Sequence, residues 1–248
     1  QEQRWSEFKD NKWAIFLKLF VSQLQCNSRI IITTQHLPED VSSGYDNFWF
    51  REEVKGLNTS EQLELFRKIG IKTQLEKEVD YLKRIGDVYE GHTYALKVVA
   101  ATIKTVYQRN VTAYWKEEGE EIEKVERDLE LSQDNNTIQN NWLSHQSNRD
   151  LYFKVRCRID KTFERLKEYN SHSYLLICLA STYLSPHPKE DWLEHLADEG
   201  CSEKEQLIAF KILREEQLIE SLIQEDNILF RLHNLIRSVA YEHFQSLD

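Results

Sequence analysis

Three prolines and seven glycines in 248 residues leave this chain short of the two residue types that turn or break a backbone. Ordinary usage, about 7% Gly and 5% Pro, would supply far more of both, so long helices joined by few tight turns are expected. An apolar content of 40% is enough for ordinary buried cores, in one large domain or two to three small ones.

The chain contains no methionine, so Gln1 is not expected to be a translation start and the sequence is expected to be a piece of something longer. No apolar run approaches the ~20 residues needed to cross a bilayer, and the first residues lack a signal peptide's apolar stretch. Cys26, Cys157, Cys178 and Cys201 are widely spaced and form no Cys-x-x-Cys pair, so reduced thiols and a cytoplasmic location are expected. A net charge of −10 opposes contact with nucleic-acid phosphates and with anionic membrane surfaces. Protein and small-molecule partners remain.

Along the chain, Trp13, Phe16, Leu17, Phe20 and Leu24 recur at three- and four-residue steps and predict a helix packed on one face. Arg29-Ile30-Ile31-Ile32-Thr33-Thr34 is β-branched without alternation, the pattern of a strand covered on both faces in a parallel α/β sheet. A shorter strand candidate follows at Phe48 to Val54. Asn58-x-x-Glu61 predicts a capped helix start, with further helices at Gln74 to Tyr89 and Tyr94 to Tyr107. Lys116 to Asp150 is dense in polar residues, and its second half, Ser132 to Asn148, reads as a linker. Helices are then expected at 151–166, 173–183, 190–197 and 203–216, with a Pro186-x-Pro188 break between the second and third. Two strands, 218–223 and 228–232, joined at Glu225-Asp226-Asn227, predict a hairpin, and a last helix runs from His233 to Phe244. Three helices and a hairpin make a winged-helix pattern.

Three segments together carry a family resemblance. Ser28-Arg29-Ile30-Ile31-Ile32-Thr33-Thr34-Gln35 resembles the sensor strand of NB-ARC signalling ATPases, with Gln35 where Arg is usual. Gly91-His92-Thr93-Tyr94-Ala95-Leu96 resembles their Gly-Leu-Pro-Leu-Ala-Leu motif, and Leu232-His233-Asn234 their Met-His-Asp motif. The resemblance implies a mainly α chain in which residues 1–55 are the tail of an α/β nucleotide-binding subdomain, 56–148 a helical subdomain with a charged linker, and 149–248 a winged-helix subdomain. It also implies an ADP/ATP-dependent molecular switch, with magnesium in the intact protein, whose nucleotide contacts here are Thr34, Gln35, Gly91, Thr93 and His233. Other domains of the same chain, or an oligomer, would be its protein partners.

Physical reasons stand beside these assignments. Thr34 and Gln35 follow the Ile-rich run, where α/β sheets bind ligands. Thr93 falls where the family Pro packs on adenine. His233 opens a helix, whose backbone N–H groups and dipole favour an anion, and by resemblance it touches the β-phosphate of ADP. No Gly-x-x-x-x-Gly-Lys-Ser/Thr loop and no acidic pair after an apolar strand occur in the sequence, so the chain alone is expected not to hydrolyse ATP. The run Glu117-Glu118-x-Glu120-Glu121 reads as solvated charge, and Cys178 as a core thiol. Two alternatives stay open: a winged-helix DNA-binding regulator, disfavoured by a net −1 on residues 203–216, and a nucleotide-independent scaffold.

Overall fold

A computed structural model describes residues 10–22, 29–33, 50, 52, 54–134 and 140–247. The chain divides into two compact units, Gln1–Val54 and Lys55–Asp248. Ten helices and one small antiparallel sheet occur among the described residues, so the protein is mainly helical.

In the first unit, α1 (Asn11–Ser22) buries Ala14 and Leu17. Trp13 and Phe16 lie on the predicted apolar face but stay half-exposed, their rings edge to face at 6.0 Å. Leu24, Cys26, Thr34 and Gln35 lie outside the described residues. The predicted strand needs correction: residues 29–33 form no strand, and Ile31 is 93% exposed. A strand of this kind draws its stability from hydrogen-bonded neighbours and from layers on both faces. Among the described residues nothing pairs with it, and residues 50, 52 and 54 likewise form no strand.

The second unit begins with α2 (Thr59–Ile69), started by the predicted capping box. Asn58 Oδ1 accepts from the backbone N–H groups of Ser60 and Glu61, and Glu61 accepts from Asn58 N–H at 2.9 Å. Three further helices complete the first part of the unit: α3 (Glu76–Val88), α4 (Thr93–Thr105) and α5 (Val111–Asp134). Tyr81 on α3 stacks on Trp115 of α5 at 4.3 Å, with Arg84 over the same indole.

The predicted linker is mostly helix. α5 runs to Asp134, and α6 (Asn140–Tyr169) begins well before the expected Leu151. Asn and Ser recur through residues 132–148 and are middling helix formers, a preference weak enough to be overridden, so polarity and weak periodicity alone did not mark a loop. The acidic run is not wholly solvated either: Glu118 accepts from the buried Arg158 of α6 at 3.3 Å, and Glu117 from Tyr107 Oη at 3.1 Å.

Beyond α6 come α7 (Ser171–Ala180), β1 (His187–Pro188), α8 (Lys189–Asp198), α9 (Glu203–Glu215), β2 (Glu220–Gln224), β3 (Asn227–Arg231) and α10 (Asn234–Gln245). The sheet order is β1-β3-β2, all antiparallel. The predicted Pro186-x-Pro188 break thus supplies a third strand, pairing His187 with Phe230. Gln224 pairs with Asn227, leaving Glu225 and Asp226 as a two-residue turn with φ of 48° and 65°. Positive φ at both positions is what a hairpin of this length requires to match strand twist.

One hydrophobic core runs through the whole unit. Leu96, Val99 and Ile103 of α4, Ile159 and Phe163 of α6, Ile177 of α7, Trp192 of α8, Phe210 of α9 and Ile236 of α10 all belong to it. Cys178 is fully buried as expected, and burial pushes its thiol up to about 12. A polar knot sits beside this core: buried Glu216 accepts from Arg165 Nη2 and from Thr105 Oγ1, each at 2.7 Å.

Candidate functional site

Two segments far apart in sequence meet at the starts of α4 and α10. Each helix is capped by a histidine: His92 Nδ1 accepts from Ala95 N–H, and His233 Nδ1 from Leu235 N–H, both at 3.3 Å. A ring nitrogen that accepts must be unprotonated, so in each imidazole the proton resides on Nε2. No described residue bonds His233 Nε2, which remains a donor.

Burial disfavours the charged form of both rings. Desolvation lowers the His92 pKa below the usual histidine value, and the neighbouring His233 lowers it further. For His233 desolvation is again the largest cause; Glu220 opposes it, while Arg231 and Lys97 add to it. Glu220 is already engaged, accepting from Arg231 Nε across β2 and β3 at 3.0 Å.

The His233 ring stacks on Tyr94, with centroids 4.3 Å apart and planes 14° from parallel. Tyr94 Oη donates to the backbone oxygen of Gln217 at 2.8 Å, so one side chain binds α4 to the loop before β2 and to the cap of α10.

Gly91 precedes this arrangement. Its φ is +68°, and a Cβ there would fall 2.2 Å from Leu57 O and 2.6 Å from Leu57 N. Leu57 N–H donates to Gly91 O at 2.9 Å. Glycine is therefore required by a left-handed turn against a neighbouring backbone, whatever else the residue does. Thr93 is exposed in the first turn of α4. Gly91, Thr93 and His233 are thus gathered in one region, while Thr34 and Gln35 lie outside the described residues.

Leu96 and Val98 are fully buried in the core, and Tyr94 joins them but also stacks on His233, a contact not foreseen from the sequence. A signal for it exists in the pairing of His92-Thr93-Tyr94-Ala95 with His233-Asn234-Leu235-Ile236, each a histidine at a helix start. Packing on α10 comes from Ile236, Val239 and Ala240, helped by Leu235 and Phe244.

The region offers half-buried imidazole N–H donors beside Lys97 and Arg231, at two helix starts. Chemically that suits an anion, although the histidine caps occupy part of the backbone N–H capacity expected to be free there. No protein-family model matches this sequence, and no curated protein matches it. The likeness to NB-ARC modules therefore rests on the residues themselves.

Proposed function

We propose that this chain is the closing half of an ADP/ATP-dependent switch of the NB-ARC class, in which residues 171–245 act as a winged helix that docks on the start of α4. The order helix, short strand, helix, helix, hairpin, with the short strand paired to the hairpin, supports the winged-helix reading. The observation that carries the functional reading is the stacking of His233 on Tyr94, which brings the second and third resembling segments together.

In this reading His233 donates from Nε2 to a phosphate, and Thr93 and Gly91 border the base. A neutral imidazole donor suits the role, because a hydrogen bond to charged phosphate is strong without charging a half-buried ring. When bound, the nucleotide supplies charge that favours the closed arrangement, and any contact differing between ADP and ATP biases the opening. Lys97 and Arg231, whose charges already act on His233, offset the phosphate charge.

The test uses the complete protein that carries this chain. Nucleotide released on denaturation is separated and quantified for the parent and for His233→Ala. A lost charge-assisted bond of about 1.5–3 kcal/mol predicts roughly ten- to hundredfold weaker ADP retention. The nucleotide-free melting temperature should be unchanged beyond the small cost of a lost cap. If the variant retains ADP like the parent, or if ADP-free and ADP-bound forms melt lower by the same amount, His233 is a structural cap and the proposal fails.

A further inference from the structure

Away from the histidine caps, a cavity of about 400 Å³ opens between α4, α8 and α9. Lys104 reaches it from the end of α4, Lys189 from the start of α8, and Lys211 and Arg214 from α9; Glu215 is its only acidic lining residue. Glu215 lies 3.8 Å from Lys211. Among the described residues no carboxylate pairs with Lys104, Lys189 or Arg214. The nearby carboxylate of Glu216 is buried and already engaged by Arg165.

Two of these cations are held against aromatic faces, Lys189 at 5.7 Å from the Phe210 centroid and Arg214 at 5.6 Å from that of Phe230. Such contacts steady a cation without neutralising it. Three helices thus bring like charges into one concavity, in a protein whose net charge is −10. Clustered like charge with a single carboxylate against four cations disfavours folding, and a multiply charged anion reverses that cost.

The shape limits the ligand. A cavity of this volume lies in the range of small-molecule sites. A nucleic-acid duplex lying along α9 would meet Glu203 and Glu205 at the helix start, and the hairpin that should flank it ends in Glu225 and Asp226. Phosphates spaced along a duplex therefore meet repulsion on both sides of the basic cluster, whereas phosphates gathered on a compact body do not.

We propose that the cavity between α4, α8 and α9 binds a compact polyphosphorylated small molecule through Lys104, Lys189, Lys211 and Arg214. Lys104 belongs to the helices that start the unit and the other three cations to the part built around the sheet, so the ligand ties one to the other. The cavity adjoins the His233 region at Gln217, whose backbone oxygen accepts from Tyr94 Oη, but its cations are other residues and it does not depend on the switch proposal.

The experiment titrates inositol hexakisphosphate into the 248-residue chain at about 150 mM salt, with calorimetry and thermal melting as readouts. Saturable binding with a raised melting temperature is expected. Lys189→Glu combined with Arg214→Glu should weaken it by at least about tenfold, because two of four cations become repulsive. Lys204→Glu, outside the cavity, should leave it unchanged. Circular dichroism checks folding, and Lys189→Gln with Arg214→Gln carries the test if the charge reversals do not fold. Flotation with phosphatidylcholine vesicles containing phosphatidylinositol 4,5-bisphosphate separates a lipid headgroup from a free ligand: capture abolished by the same double variant supports the site with lipid as the source. No binding of either probe overturns the proposal. So does equal loss in Lys204→Glu, which would mean diffuse attraction, or a duplex-DNA gel shift lost in the double variant without binding of either probe.

Discussion

Replacing Glu216 by Ala should be among the most damaging single changes outside the hydrophobic core. The carboxylate is 2% exposed and accepts from Arg165 Nη2 at 2.7 Å and Thr105 Oγ1 at 2.7 Å, with Tyr169 Oη at 3.5 Å. Arg165 also donates to Thr102 Oγ1 at 3.3 Å, so the knot joins α4, α6 and the end of α9. Removing one partner of a buried pair costs about 3–5 kcal/mol, mostly because the other charge is stranded. The Arg165 side chain keeps 24% exposure, and water reaching it favours the lower end, about 3 kcal/mol. For a chain of this size that lowers the melting temperature by about 6–12 °C. The assay is thermal and urea unfolding of the parent, Glu216→Ala, Arg165→Met and the pair Arg165→Met/Glu216→Leu. Since apolar replacement of both partners is often near neutral, the double variant should recover most of the loss. A drop below about 2 °C for Glu216→Ala, or single effects that add within about 0.5 kcal/mol, would refute the idea that this pair holds α9 to the bundle.

Two further outcomes follow from the histidine region. Gly91→Ala should destabilise by at least about 2 kcal/mol, since left-handed backbone costs roughly 1–2 kcal/mol for a residue with a Cβ and the new atom meets Leu57 backbone; an unchanged urea midpoint would contradict this. Stability should fall as pH drops from about 7.5 to 5.5, because His92, His195 and His233 all have folded pKa values below the ordinary one of about 6.5, so the unfolded chain binds more protons. That stability is present above about pH 6.5 and is lost as pH falls through the lowered values, and protonating Nδ1 also removes two helix caps. Melting curves across this range should show a shallower slope for His233→Ala, and an identical slope would remove His233 from the account.

Much of the second unit was legible because its signals are local. Asn58 with Glu61 and the hairpin turn at Glu225 and Asp226 each depend on a few adjacent residues, and each formed where the sequence placed it, although Asn227, expected in the turn, starts β3. The Ile30 to Ile32 run was not so decided, since β-branched residues favour a strand only when neighbouring strands and covering helices are present. The helices spanning the polar 116–150 stretch were missed for the converse reason: with little apolar periodicity, their cue is propensity and tertiary partners such as Arg158 with Glu118. At the candidate site, Gly91 and His233 could be picked out by type and position. Tyr94 could not, because an aromatic residue at helical spacing looks like core until its partner from another segment is known.

The backbone contact between residues 56–57 and 91 also has a mechanical side. Leu57 N–H bonds Gly91 O, Gln62 Nε2 holds Leu57 O at 2.7 Å, and a Cβ on Gly56 would sit 1.9 Å from Glu90 O. The strand of chain entering the unit is thereby strapped across the turn on which His92 and Tyr94 stand. Between Lys55 and the start of α4 stand one backbone hydrogen bond and one close steric contact, both stiff over short distances. The Tyr94 and His233 stack is the next link. The entry point of the unit is thus joined to the imidazole that caps the last helix by a short succession of direct contacts.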